Sequence, residues 1–275
     1  MTLQLDRGSK LSSAQALIAR FDLGAFLSLA LLVVLLGGWQ LAVVRGVLPA
    51  FILPAPWDVA KRVVEDMLQP SLQMDLLYTL TEIIAGFTIA AIVGVVFGGA
   101  IALLPLVDRV FSPYIVALQT IPKVAVAPLL IIWFGFGIEA KIVIVALIDV
   151  FPILINAVVG FRNVDSRQLL LMKALNASRW QTFLKIRFPS AMPYLMAGFQ
   201  ISMVFSVIGA VVGEFLGSAQ GLGSQIVQRQ SNMDVVGVFS VLVILTVLGI
   251  ALNNLTRLAS RKLAFWAESE QPQGL

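Results

Sequence analysis

The 275-residue chain contains no cysteine and no histidine. The lack of cysteine excludes disulfide bonds, thiolate catalysis and cysteine-ligated metal sites. The lack of histidine removes the usual proton shuttle and the commonest metal ligand. A GxxxxGK[ST] loop, which cradles nucleotide phosphates, is also missing. We therefore expect no covalent chemistry and no cofactor, and any energy from ATP would have to come through another polypeptide.

Charged residues are also scarce. They make up 12% of the chain, whereas a soluble domain usually carries about 25%. Hydrophobic residues make up 59%, and several apolar runs reach the roughly 20 residues that a helix needs to cross the hydrocarbon of a bilayer. The composition predicts an all-α integral membrane protein, in which the net charge of +4 mainly reflects orientation in the membrane.

The apolar runs predict six transmembrane helices in one domain. They lie near residues 21–44, 76–104, 110–134, 141–159, 194–216 and 236–258. The third run contains Pro113, Pro122 and Pro128, which indicates a broken helix whose freed backbone groups must be satisfied by protein or a water-filled cavity. We expect a transmembrane domain over residues 21–262, with tails over residues 1–20 and 263–275.

The distribution of Lys and Arg predicts the orientation. These residues are concentrated before the first run, after the sixth, and between the fourth and fifth, which places those segments in the cytoplasm. The sequence therefore predicts a multi-pass protein of the inner (plasma) membrane with both termini cytoplasmic.

The longest polar interruption runs from Phe161 to Pro193 and holds six of the 19 Lys and Arg residues against one acid, Asp165. Its helical spacing predicts two short helices, the first stopping at Asn176 and the second ended by Pro189. A large basic loop with two short helices predicts a docking surface for a cytoplasmic partner.

Four charged residues fall within or near the apolar runs: Glu82, Lys123, Asp149 and Glu214. A charge at the centre of a membrane helix costs about 2.5–3.5 kcal/mol, so each should face a cavity or a partner. All four are candidates for the translocation path. Lys123, on the proline-broken run, would favour an anionic solute; the alternatives are an ion pair with one of the three acids, or an ammonium group that reaches the membrane surface.

The other candidates also have two interpretations. Glu214 is either a gate near the outer mouth or a hydrogen-bonded anchor for residues 218–235, and Asp149, before Pro152, suits a structural role at a kink. Gly209, Gly213 and Gly217 recur every four residues, which predicts a helix-packing face at a dimer interface or a pore wall.

Residues Lys173 to Gly198 resemble the EAA loop of ABC-importer permeases, whose pattern is Glu-Ala-Ala, three residues, Gly, nine residues, Ile-x-Leu-Pro. With Pro189 as the anchor, Asn176 falls where Gly is expected, and the Glu-Ala-Ala positions are occupied by Leu170, Leu171 and Met172, so the defining Glu is absent. The segments LPAPWDV (53–59), LQTIPKVAVAPLLIIWFGFGIEAK (118–141), FPILINAVVG (151–160) and VVGEFLGSAQGLG (211–223) resemble the nitrate/taurine/sulfonate subgroup.

This resemblance implies a type I importer permease fold and a non-catalytic subunit. It implies three kinds of partner: a second permease, expected as a homodimer, two cytoplasmic ATPase subunits that bind ATP, and an external binding protein. The coupling loop that docks on the ATPase would include Leu170, Leu171, Met172, Lys173, Ala174 and Asn176.

The implied function is ATP-driven uptake with alternating access. The expected solute is small and anionic, of the nitrate, sulfonate, taurine or aromatic-acid type, with pyrimidine- or flavin-type nutrients as the alternative. A stand-alone secondary transporter or channel is the rival interpretation, because broken helices and buried charges would also suit it.

Overall fold

The computed structural model describes residues 23–266. The chain divides into two compact units, Met1–Ala60 and Lys61–Leu275, at a boundary inside one helix. The expected tail over residues 1–20 and the last nine residues, 267–275, lie outside the described part. Between residues 23 and 266 every regular element is helical, so the predicted all-α fold is confirmed.

In the first unit, helix α1 (Leu23–Val44) is a run of apolar residues. Its described side chains are largely exposed, as expected for a helix that faces lipid or another polypeptide. Helix α2 (Pro56–Met67) crosses the boundary, so that residues 61–67 belong to the second unit. It begins at a proline, which suits the first turn of a helix because the missing N–H would have no partner there. The backbone N–H of Trp57 donates to Oε1 of Gln40 at 3.0 Å.

The remaining helices belong to the second unit. They are α3 (Pro70–Leu103), α4 (Pro105–Thr120), α5 (Lys123–Phe134), α6 (Ile138–Arg162), α7 (Ser166–Ala174), α8 (Arg179–Thr182), α9 (Phe188–Phe215), α10 (Leu222–Ser231) and α11 (Val235–Leu263). We call the end of this bundle that carries residues 163–178 the loop end, and the opposite end the far end.

The number of predicted spans agrees with the structure. Five helical stretches in the described part are long and apolar enough to cross a membrane. The α4–α5 pair adds a sixth if it counts as one span, and it is bent by 96°. The bend falls at Ile121 and Pro122, while Pro113 and Pro128 lie inside the two helices. The predicted broken helix is therefore present.

Helix α6 is the centre of the bundle, and small residues let α3 approach it closely. A Cβ built on Gly98 would lie 2.6 Å from the Cβ of Ala157 and 2.8 Å from the carbonyl oxygen of Leu154. On Gly94, a Cβ would lie 2.7 Å from Cγ2 of Ile153. This GxxxG pair therefore brings two helices of the same chain together.

The predicted second short helix does not end at Pro189, and that prediction was wrong. Helix α8, a π-helical turn (Phe183–Arg187) and α9 form one unbroken 37-residue helix from Arg179 to Phe215. The N–H of Phe188 donates to the carbonyl of Phe183, five residues back. A prolyl residue interrupts the normal ladder, and the wider turn accommodates it without a break. The fifth span is thus rigidly continuous with the loop.

Candidate functional site

The loop end carries an ordered helical corner. Asp165 precedes α7 and its side chain accepts from the N–H of Arg167 at 2.8 Å, which caps the helix. Asn176 follows the end of α7 with a left-handed φ of 51°. The N–H of Ala177 then reaches the carbonyl of Met172 at 2.9 Å, and the N–H of Asn176 reaches Lys173 at 3.1 Å. These bonds form a Schellman motif, so the predicted stop at Asn176 is confirmed.

The next helix begins with an equally well-defined cap. Ser178 accepts from the N–H of Gln181 at 3.1 Å, and Gln181 accepts from the N–H of Ser178 at 2.8 Å. This reciprocal pair is a capping box. Behind it, Phe183 stacks between Trp180 and Phe161, with ring centroids 5.6 and 5.7 Å apart. The corner is therefore fixed to the end of α6 by aromatic packing.

The corner leaves a group of apolar side chains exposed, and we call them the loop surface: Leu170, Leu171, Leu175 and Trp180. Leu171 is 59% exposed and Trp180 is 66% exposed. Met172, one of the predicted docking residues, is instead 8% exposed and packs inward. Lys173 and Ala174 are exposed on the last turn of α7. The four side chains of the loop surface are apolar, but Arg167, Lys173 and Arg179 are also exposed on the corner, and Arg162 is paired with Asp108 at 2.6 Å.

At the far end, a buried set of polar residues lies where α3, α6, α9 and the start of α10 meet. We call this set the acid cluster; it comprises Asp75, Thr79, Glu82, Lys141 and Glu214. Thr79 donates to Oε1 of Glu214 at 2.6 Å, and the N–H of Gly223 donates to Oε2 of Glu214 at 2.5 Å. These are the contacts of a hydrogen-bonded anchor for the segment after α9.

The same cluster satisfies the first N–H groups of α10. The N–H of Gly221 donates to Asp75 at 2.8 Å, and the N–H of Leu222 donates to Oγ1 of Thr79 at 2.9 Å. Gly221 has a φ of 105°, a conformation that side-chain-bearing residues rarely adopt. Residues 218–235, predicted from the sequence only as a segment that Glu214 would anchor, thus contain a helix whose N-terminus rests on buried acids. Negative charge at that position complements the helix dipole.

A second buried network at the far end ties α10 to α2 and α11. We call it the arginine network; it comprises Arg62, Asp66, Arg229, Asp234 and Ser240. Arg229 donates to both carboxylate oxygens of Asp66, at 2.5 and 3.0 Å. Burial raises the pKa of Asp66, but hydrogen bonds from Arg229 and Ser240 and the charge of Arg229 outweigh it and hold the pKa below its usual value. These residues were not predicted from the sequence. The signal that could have found them is the presence of oppositely charged residues in the polar segments that connect the spans.

The remaining candidates from the sequence lie elsewhere. Asp149 is buried in the interface of α6 and α9, where its side chain accepts from Ser206 and its carbonyl accepts from Ser202 at 3.0 Å. Lys123 lies at the α4–α5 bend, with its Nζ 3.3 Å from the carbonyl of Gln119 and 4.7 Å from the centroid of Phe151. The structure therefore does not bring Lys123 together with Glu82, Asp149 or Glu214.

Gly209, Gly213 and Gly217 pack against residues of the same chain. A Cβ on Gly209 would lie 3.3 Å from Cα of Val145, and one on Gly213 would lie 3.0 Å from Cγ of Lys141. Gly217 has a φ of 121° beside the ring of Phe136. The face that these glycines serve is thus the contact between α9 and α6.

The comparisons with known proteins agree with this geometry. Residues 86–265 match the family described as binding-protein-dependent transport system inner membrane component. The riboflavin transport system permease protein RibX of Chloroflexus aurantiacus is 35% identical, over 86% of this chain and 89% of RibX. The formylaminopyrimidine transport permease protein ThiX of Halalkalibacterium halodurans is 31% identical, over 77% and 84%. The putative aliphatic sulfonates transport permease protein SsuC of Bacillus subtilis is 30% identical, over 86% of both chains.

Solved structures support the fold alone. A chain of the MetNI methionine ABC transporter in an inward-facing conformation superposes with a TM-score of 0.55 at 20% identity, covering 77% of this chain and 98% of that chain. A chain of an amino acid ABC transporter gives a TM-score of 0.56 at 18% identity, covering 68% and 92%. Together with the family match over residues 86–265, these findings show that the chain belongs to the binding-protein-dependent transport system inner membrane components and is a multi-pass permease subunit of an ABC importer.

Proposed function

We propose that this permease is driven from the cytoplasm by ATP-binding subunits that dock on the loop surface. The observation that carries the proposal is the exposed apolar corner formed by α7 and α8 on a rigid base. Isolated exposed apolar residues are ordinary, but a contiguous group on an ordered corner is typical of a protein contact. A polypeptide that grips this corner would move the fifth span directly, because the helix from Arg179 to Phe215 is continuous.

The apolar character of the corner accounts for docking without the Glu of the EAA pattern. Leu170 and Leu171 occupy positions of the Glu-Ala-Ala stretch and are 65% and 59% exposed. Their burial in a groove on the partner would contribute about 25 cal/mol for each Å² of apolar surface removed from water. In this scheme hydrophobic contact replaces the missing carboxylate, and Met172 holds α7 against the bundle from behind.

The proposed assembly contains two copies of this chain, two ATP-binding subunits and an extracytoplasmic binding protein. The loop end faces the cytoplasm, as do both termini. ATP closes the two partner subunits, their movement shifts the corner, and the spans change from inward-open to outward-open so that the binding protein can deliver solute. This chain contributes no cofactor and no catalytic group to the cycle.

The proposed solute is a small anion of the sulfonate, taurine, nitrate or aromatic-acid type. Lys123 supports this choice, because it places a cation at the proline-bent α4–α5 pair, which is a place where a cavity can form. Similarity to the sulfonate permease SsuC is consistent with an anion. The second candidate is a flat nitrogen heterocycle, which the names of the RibX and ThiX relatives favour.

Leu171→Asp tests the docking proposal. We expect this variant to assemble with its partners in the membrane yet to lose most solute-stimulated ATP hydrolysis and uptake, because a carboxylate would be buried in an apolar contact. Gln168→Asp places the same charge on an exposed position of the same helix and is the matched control. Met172→Asp is a poor substitute because Met172 is buried. Wild-type coupling in Leu171→Asp would show that docking lies elsewhere.

Lys123→Met tests the solute proposal in reconstituted complexes that contain the binding protein. We expect sulfonate uptake to fall severalfold while ATPase coupling persists, with Lys262→Met, an exposed cation at the end of α11, unchanged. Unchanged sulfonate uptake together with uptake of a flavin or pyrimidine would favour the second candidate. Solute flux through this chain alone in liposomes would contradict the whole importer scheme.

A further inference from the structure

Two carboxyl groups of the acid cluster lie side by side, and they differ in the hydrogen bonds that they receive. Glu82 lies one turn after Thr79 on α3, and the hydroxyl of Thr79 contacts Glu214 on α9; the two acids are 0% and 1% exposed. Glu214 is fully engaged as an acceptor, because Thr79 donates to one oxygen and the N–H of Gly223 donates to the other. This pattern of donors suits an ionised Glu214, because a carboxylate only accepts hydrogen bonds.

Glu82 lacks such donors. Among residues 23–266, no N–H or O–H group lies within hydrogen-bond distance of either carboxyl oxygen of Glu82. Lys141 is the cation near both acids, but its Nζ donates to the carbonyl of Phe136. An ionised carboxylate without donors, in a packed membrane bundle and next to a second carboxylate, would carry both a desolvation cost and a repulsion. A protonated carboxyl group removes both, because it can donate to Glu214.

We propose that Glu82 is a buried proton-binding site, a neutral carboxylic acid that donates its O–H to Glu214 and thereby holds Glu214 as the acceptor at the start of α10. The ligand is a single proton. The ionisable groups near the pair on the surrounding helices are Asp75, Tyr78 and Lys141, and the exposed Glu139 acts on the last two.

The site links protonation to the far end of the bundle. If Glu82 lost its proton, two adjacent carboxylates would repel, and Glu214 could be displaced from the N–H of Gly223. The bonds of Gly221 and Leu222 lie in the same turn, so the first turn of α10 would loosen with it. Alkaline conditions should therefore weaken this contact, and Glu82→Gln, whose amide can still donate, should preserve it.

Infrared spectroscopy of the assembled importer in lipid nanodiscs tests the protonation directly. We expect a protonated-carboxyl C=O band at neutral pH that is lost in Glu82→Gln and retained in Glu139→Gln, a matched control because Glu139 is exposed. A spectrum in which Glu82→Gln keeps every such band would overturn the proposal. If Glu82→Gln does not assemble, the spectrum of the wild-type protein is the test. The absence of any protonated-carboxyl band in that spectrum at neutral pH would also overturn the proposal.

Thiol labelling tests the link to α10. Because the chain has no cysteine, Ser224→Cys introduces the only thiol of this chain, at a half-buried position in the first turn of α10. Ala219→Cys, at an exposed position, corrects for the intrinsic pH dependence of the reaction. We expect the ratio of the two labelling rates to rise severalfold at alkaline pH, and to stay flat in the Glu82→Gln background. A ratio with the same pH dependence in both backgrounds would contradict the proposal.

Discussion

At the loop end of the bundle, short capped helices hold an exposed apolar surface, whereas at the far end charged residues are buried and paired. The loop surface has apolar side chains that no part of the described chain covers, whereas the arginine network and the acid cluster, Glu82 excepted, form hydrogen bonds within the bundle. In a membrane protein, an apolar group outside the bilayer and a charged group inside the fold are both unusual. The contrast fits the proposed docking at the loop end, while the polar contacts at the far end hold the helices of the chain together.

Breaking the arginine network should have the largest effect. Asp66→Asn leaves Arg229 buried without a counter-charge, which typically costs about 3–5 kcal/mol. We expect thermal unfolding of the complex in nanodiscs to occur at markedly lower temperature. Glu65→Gln, at the neighbouring exposed position, is the matched control and should be near wild type. Equal stability of Asp66→Asn and wild type would show that the network contributes little.

A smaller effect is expected at the contact between α3 and α6, which joins the two ends. Gly98→Ala places a Cβ 2.6 Å from that of Ala157, and such overpacking costs about 1–3 kcal/mol. Gly249→Ala is the comparison, because its Cβ would meet only Cγ2 of Val207 at 3.9 Å. There the gain in helix propensity, about 0.5–1 kcal/mol, should dominate. The two substitutions should therefore shift the unfolding temperature in opposite directions, and shifts of the same sign would refute the close-contact argument.

At the loop end, the corresponding test is the left-handed residue that ends α7. Asn176→Ala should cost about 1 kcal/mol locally, whereas Asn176→Gly should cost less, because φ is 51°. Hydrogen exchange of the amides of residues 172–177 measures the effect, and coupled ATPase activity should follow it. If Ala and Gly behaved alike, the left-handed turn would not be what shapes the loop surface.

The smallest expected effect is the loss of stability in acid, when Asp66 becomes protonated. Its pKa is lowered in the folded protein, so the stabilisation is fully present above the unfolded value of about 3.9 and is lost as the pH falls through that value towards the folded one. Acid should therefore loosen the contacts of α10 with α2. As the pH is lowered, the unfolding temperature should fall more steeply in wild type than in Asp66→Asn. Parallel plots of unfolding temperature against pH would argue against this role of Asp66.

The sequence predicted the architecture well, because hydropathy and proline placement are local signals. The broken third span and the stop at Asn176 were predicted from short patterns and are confirmed, while the docking loop stays a prediction. The assumed end at Pro189 failed, because a π-helical turn can absorb a proline and nothing in the residue types announces that turn. The arginine network was missed, because Asp66 and Arg229 are 163 residues apart and their pairing depends on the fold. Glu214 was identified from the sequence, with anchoring of residues 218–235 as one of its two interpretations.

The unbroken helix from Arg179 to Phe215 has a mechanical consequence. Its 37 residues span roughly 55 Å at 1.5 Å per residue, so Trp180 and Glu214 lie near opposite ends of a single helix. If a docked partner tilted this helix by about 5° about the π-helical turn, the far tip would move by roughly 4 Å, given the rise per residue. Such a movement exceeds the length of a hydrogen bond and would be large enough to change the contacts around Glu214.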